Sequence, residues 1–498
     1  MRGLVLAPVL IGLAARLAAA TILVPMSDDD LVATSDVIAV GTVRDVRTVV
    51  IAGDRIVTRV TIGVERALKG GEGSPTLVVT EPGGAVGGRR VVVFGAPDYA
   101  VDEHVLVFLR LARDGTLVTN AMALGKYAVD ARAIARRDVP RPDVRALDEL
   151  VAGIAARAAG QRGAATDGRA GAAVSPAALE AVAPAFTFAR AAGGLPARWF
   201  EADCGVPVTF AAANTDDARP TESRSALASA MAAWSGVDGA SIVIGAAPDT
   251  IPAPSITSGT FDGRNVIEFN DPFDEVPDLV NCTGVLARGG FGGASDATFG
   301  LRETVSGATF GRIFEGDVVV NDGAAACLSG EAGLAEVLAH ELGHTVGFGH
   351  SSEDPDEPDP VRRDALMFFL AHDDGRGASL RADDVAGLRF IYPAARLATT
   401  PVAAFACEAR VGLLASSCFG QTLNLAPFNV FERARMAAAR AASAPTATRQ
   451  KRQLRKARRL LGRTVAAVRR TISGECGAAM RATAQRLRDE ATSLLATL

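Results

Sequence analysis

The chain has 498 residues, 49% hydrophobic and 22% charged, which excludes a disordered chain and is too long for a single core. Net charge is −4, against a whole-chain nucleic-acid binder, yet residues 396–498 hold 18 basic and 5 acidic side chains, a net +13 that leaves −17 for the remainder. With only five His in the chain, their positions carry information.

Residues 1–20 read as a signal peptide. Arg2 supplies the positive start, an apolar run follows, and Ala18, Ala19 and Ala20 offer a small-residue cleavage site. No other stretch is apolar for long enough to suggest a transmembrane segment. The expected location is therefore secreted, extracellular or periplasmic. Six Cys fit that compartment (Cys204, Cys282, Cys327, Cys407, Cys418, Cys476), and none is spaced Cys-x-x-Cys.

Residues 21–130 alternate apolar and polar in short runs, at 37–43, 57–64, 76–80, 90–94, 105–111 and 116–119, separated by Gly- and Asp-containing turns. This predicts an all-β sandwich or barrel. Residues 131–185 shift to Ala, Gly and Arg, with one amphipathic helix at 146–159 and a connector from Gly160 to Ala173. Residues 186–395 mix helix-like and strand-like blocks: helices at 222–234, 331–346 and 381–391, strands at 241–245 and 317–320. Beyond Arg396, Leu454, Leu461, Val465, Val468, Ile472, Cys476, Met480 and Leu487 recur on one helix face, with Gly474 and Gly477 able to break it. Aromatics for base stacking are missing there, so no nucleic acid is expected. The basic tail reads as solvated helices or as contact with an anionic surface.

Chemistry concentrates at residues 340–350, HELGHTVGFGH, which fits H-E-x-x-H-x-x-G-x-x-H. His340 and His344, four apart on a helix, face one way and can reach the same ion. Gly347 tolerates the positive φ that turns the chain back so that His350 completes a tripod. Three neutral imidazoles with an open fourth position suit catalytic Zn²⁺. Glu341 points partly away from the ligands, yet can face a zinc-activated water as its general base.

These residues resemble the metzincin zinc endopeptidases, and within them the secreted bacterial-type matrixins. Ser351 after the third His is matrixin-like. Residues 364–367 (DALM) resemble the Met-turn, which implies that Met367 supports the site from beneath. Residues 380–393 resemble the closing helix, and Arg198-Trp199, residues 231–234 and residues 313–321 are also similar. The resemblance covers about 200 residues and implies a multidomain protein. Its 186–395 part would have a metzincin-type α+β fold, a twisted mixed sheet plus the active-site helix, and 396–498 would be helical. The implied activity is zinc-dependent hydrolysis of protein or peptide substrates.

The chain departs from the family between His350 and Met367, which is longer and acidic. A second zinc held by further His is not expected, because only His104 and His372 lie outside the motif. Ca²⁺ is a possible second cation, since the acidic stretches 271–278 and 353–359 can supply oxygens. Cys204-Gly205-Val206-Pro207 invites a cysteine-switch reading, rejected because Cys204 is placed in the first strand of this region, with Cys282 or Cys327 as partner. Cys418–Cys476 is the expected clip of the tail. The competing reading is a secreted binding or adhesion protein with a catalytically silent metzincin domain. A weaker one makes the β-domain a removable inhibitory segment.

Overall fold

The computed structural model describes residues 23–24, 26–51, 55–87, 89–137, 143–160, 186–190, 194–247, 263–295, 299–418 and 423–498. The expected signal peptide and most of the Gly160–Ala173 connector lie outside them. The chain folds as a mixed α/β protein, and among the described residues no helix is long and apolar enough to cross a membrane.

The N-terminal unit is built on one eight-stranded sheet, five strands of which close into a ring, rather than on the two sheets of a sandwich. Its order is Asp143–Ala146, Ile134–Arg137, Lys126–Val129, His104–Leu111, Val37–Ile51, Arg55–Lys69, Thr76–Pro82, Leu117–Thr119, the last strand also pairing with His104–Leu111. Its central strands are apolar on both faces. Ile38, Val40, Leu106 and Phe108 pack under the helices Asp28–Thr34 and Leu147–Ala158, while Ala39, Val105, Val107 and Leu109 point the other way onto Val60, Ile62 and Val79. The unit therefore contains helices, and it runs past residue 130 because two strands and a helix of the expected linker complete it.

One strand that reads as part of this unit joins a different sheet. Arg89–Val93 pairs antiparallel with Ala287–Ala294 and extends a sheet ordered Ile244–Ala246, Val208–Ala212, Val266–Glu268, Ala308–Val320, Ala287–Ala294, Arg89–Val93, Gly84–Val86. The first four of these strands are mutually parallel and Ala287–Ala294 is antiparallel to Ala308–Val320. The helices Pro220–Ser235 and Gly330–Thr345 pack together, and both contribute to the apolar core built on this sheet.

The tail forms the helices Pro401–Val411, Ala426–Ala442, Ala447–Thr471 and Gly474–Thr497. The predicted apolar stripe is their core: Leu454, Leu461, Val468, Cys476, Met480 and Leu487 are buried together. Ile472 and Ser473 separate the last two helices, just before Gly474 at φ 67°. The tail is not a loose appendage. Its core includes Ala294 and Leu301, and Arg410 pairs with buried Asp203 and with Glu303. Ala447–Thr471 carries ten basic and no acidic residues.

The disulfides are Cys204–Cys407, Cys282–Cys327 and Cys418–Cys476. The third is the expected clip. The first corrects the expected partner of Cys204, which sits in a 3₁₀ turn, Glu201–Cys204, ahead of the strand Val208–Ala212 and facing the helix Pro401–Val411. That bond ties the tail to the second unit and takes the thiol away from any switch role.

Candidate metal centre

The helix Gly330–Thr345 presents His340 and His344 one turn apart, and every residue from Gly333 to Thr345 is buried. A Schellman motif ends it. The Phe348 N–H donates to the Gly343 carbonyl and the Gly347 N–H to the His344 carbonyl, both at 3.0 Å, with Gly347 at φ 105°. The Ala197 carbonyl also fills the space where a side chain at 347 would go. The chain thus reverses at Gly347 and brings His350 back to the helical pair.

His340 Nε2 lies 3.0 Å from both His344 Nε2 and His350 Nε2. The first of these contacts is not a hydrogen bond. His340 Nδ1–H donates to the Leu366 carbonyl at 2.9 Å and His344 Nδ1–H to the Phe348 carbonyl at 3.0 Å, which commits the single proton of each neutral ring. Their Nε2 lone pairs are left bare and facing each other, an arrangement that repels unless a cation lies between them. Zinc–nitrogen bonds of about 2.0–2.1 Å in tetrahedral geometry put ligand nitrogens about 3.3 Å apart, close to this spacing.

The outer partners fix each ring. Glu353 Oε1 meets His350 Nδ1 at 2.8 Å, as the carbonyls do for the other two. Burial, with repulsion from His350 for both and from His340 for His344, holds His340 and His344 far below the ordinary His pKa, and burial alone takes His350 down to about 3. Neutral rings are the form that binds metal. Among the described residues these three His are the one group with metal-ligand spacing, and no fourth His, Cys, Asp or Glu joins them.

Glu341 is fully buried and stands outside the ligand group. The strand Ala287–Ala294 passes against it. A Cβ at Gly289 would lie 2.5 Å from the Glu341 carbonyl oxygen and 2.9 Å from its Oε2, so glycine permits this approach. Burial lowers the pKa of neighbouring Arg288, while Glu275, Asp271 and Glu341 oppose that shift.

Met367 is buried, with its sulfur against Gly343 of the helix. Its turn is held by Asp384, which lies outside the motif and its ligands. Asp384 accepts the N–H groups of Leu366 at 2.8 Å, Met367 at 3.1 Å and Arg381 at 2.7 Å. Burial pushes its pKa up to about 6 while those donors pull it down. The chain's two Trp clamp the helix backbone: Trp234 Nε1–H donates to Ala339 at 2.7 Å and Trp199 Nε1–H to Thr345 at 3.0 Å.

The other sequence candidates sit elsewhere. His372 pairs with Glu336 at 2.9 Å and His104 with Glu65 at 3.0 Å. In the acidic stretches, Asp274 meets Arg110 and Arg113, and Glu357 meets Arg362. Asp359 caps the helix Pro360–Arg363.

Fold and site together define a protein with a buried three-histidine centre that could hold a metal ion. Neither the models of known protein families nor the curated proteins contain a match to this chain.

Proposed function

We propose that this chain is an exported zinc endopeptidase, similar to the matrixin metzincins in its site. The observation that carries the reading is the pair of bare Nε2 lone pairs on His340 and His344, with His350 third and buried Glu341 next in sequence to a ligand. His340, His344 and His350 would hold the ion. When bound, zinc would supply Lewis acidity and a water acidified toward neutral pH. Glu341 takes the proton of the attacking water and passes it to the leaving amine. Met367 supports the helix beneath the ligands without touching substrate. Three disulfides support an oxidising destination outside the cytoplasm.

The test is metal content followed by turnover. The purified chain should bind about one zinc per molecule and cleave an unstructured protein such as casein, and a chelator should stop cleavage. Glu341→Gln should keep the zinc and lose at least 100-fold in kcat. Zinc content below half an equivalent, or an E341Q variant as active as wild type, refutes the assignment. Chelator-independent binding of a partner with no cleavage by any variant would favour the silent binding protein instead. One feature favours that second reading: the edge strand beside the triad is already occupied by this chain's own residues.

A further inference from the structure

We propose that the segment Arg89–Phe94 holds the metal centre latent by occupying the groove that an extended peptide would need. This rests on the peptidase reading for its consequence and on separate geometry for the occlusion itself.

The strand Ala287–Ala294 is the sheet strand that runs past Glu341, so its outer edge is where a peptide backbone could pair beside the triad. That edge is taken. Gly290 pairs with Val93, Phe291 with Val92, Gly292 with Val91 and Gly293 with Arg90, all antiparallel, and the Phe94 N–H reaches the Gly289 carbonyl at 3.4 Å. The strand then delivers Phe94 onto a ligand. Its ring stacks on His344 with centroids 4.0 Å apart and planes 15° from parallel, and it is only 5% exposed. Past Phe94 the chain turns away at Gly95, φ 82°, with the Ala123 N–H donating to the Gly95 carbonyl at 3.0 Å. The segment therefore enters as a peptide would and leaves at the metal.

Further contacts seat the N-terminal unit over this groove. Leu23–Val24 pairs with Gly284–Val285, and Arg110 and Arg113 reach Asp274. An open cleft of about 790 Å³ remains between the units, lined by Arg90, Val92, Phe94, Phe188, His350 and Glu353. Glycines at positive φ flank the strand, Gly83, Gly84 and Gly87 before it and Gly95 after it. No thiol takes part, since all six Cys are in disulfides.

The test uses the full chain. Val92→Pro removes a strand N–H and disfavours the pairing, and Phe94→Ala keeps the strand but removes the ring over His344. With zinc content unchanged, both variants should cleave a short quenched peptide with kcat/KM at least 10-fold above wild type. Introducing Glu341→Gln into the same chains should abolish that gain. In the E341Q background a peptide hydroxamate, measured by calorimetry, should bind either variant at least 10-fold tighter than the chain with Val92 and Phe94 intact. Saturating hydroxamate should also speed amide exchange at residues 91–93 in the intact strand. Equal turnover and equal hydroxamate affinity in all three chains overturn latency and leave the peptidase reading standing. Tighter hydroxamate binding and faster exchange without cleavage by any chain sustain occlusion and defeat the peptidase reading. If Val92→Pro lowers zinc content, Phe94→Ala decides alone.

Discussion

Replacing Asp384 by Ala isolates how the helix Ala382–Ile391 supports the three-histidine centre. In the native chain the buried carboxylate accepts N–H groups from Leu366, Met367 and Arg381 at 2.7–3.1 Å. Truncation leaves three donors without that acceptor. A buried unsatisfied polar group costs about 1–3 kcal/mol, so about 3–9 kcal/mol is the ceiling, and partial hydration should bring the loss to about 3–5 kcal/mol. The damage also reaches the ligands. The Leu366 carbonyl accepts the His340 Nδ1 proton at 2.9 Å, so a loosened turn frees the ring that lies between the other two. Loss of such an outer partner typically costs 10–100-fold in metal affinity. Guanidinium unfolding of the metal-free chain measures the first effect, and competition for zinc against a chromogenic chelator measures the second. A stability loss below 1 kcal/mol together with unchanged zinc affinity would refute the claim that Asp384 organises the turn at Leu366 and Met367.

Two further outcomes follow from burial and close approach. Gly289→Ala places a methyl 2.5 Å from the Glu341 carbonyl, so the strand Ala287–Ala294 must shift outward at about 1–3 kcal/mol; turnover should fall with zinc content intact, and unchanged kcat would count against the strand as the wall beside Glu341. Glu81 is buried, and burial raises its pKa to about 7 from 4.5 although it accepts the Thr119 N–H and O–H. The folded state then binds the Glu81 proton more tightly than the unfolded chain, so stability from this group is complete below pH 4.5 and falls as pH rises through 7. Glu81→Gln keeps the acceptor and removes the titration. Its advantage over wild type in urea unfolding should grow from near zero at pH 4.5 toward a ceiling of about 3 kcal/mol at pH 8; a pH-independent difference would exclude this origin.

What could be read from the sequence was local, and what could not was set by pairing at long range. His340, His344 and Gly347 follow from the helical period and from the one residue that ends a helix at positive φ, and the fold places them accordingly. The tail helices were legible because a seven-four-three recurrence of apolar residues means the same in any surroundings. Asp384 was not, because its role consists of accepting N–H groups from a turn 17 and 18 residues earlier, and an Asp at a helix start looks like ordinary capping. The partner of Cys204 is hidden for a similar reason: it lies 203 residues away, in a helix whose docking no spacing rule anticipates.

The strand Arg89–Val93 shows the limit most clearly. Its apolar run has the same period as its neighbours, so periodicity identifies a strand but is silent about which sheet it joins. Its sheet is decided by a partner some 200 residues downstream, where four glycines in ARGGFGGA leave little side-chain bulk along the edge. At Gly290 the Val92 carbonyl occupies the place of a Cβ, so this close pairing requires glycine at that position. The same run of glycines thus permits both the close approach to Glu341 and the pairing with the chain's own strand. Any sequence able to pair in extended form, whether internal or external, meets one edge and one set of carbonyls. Occupancy of the centre is then a competition between a tethered strand at high effective concentration and a free peptide, which makes the position of Phe94, rather than the metal tripod alone, the feature that decides whether the site is open.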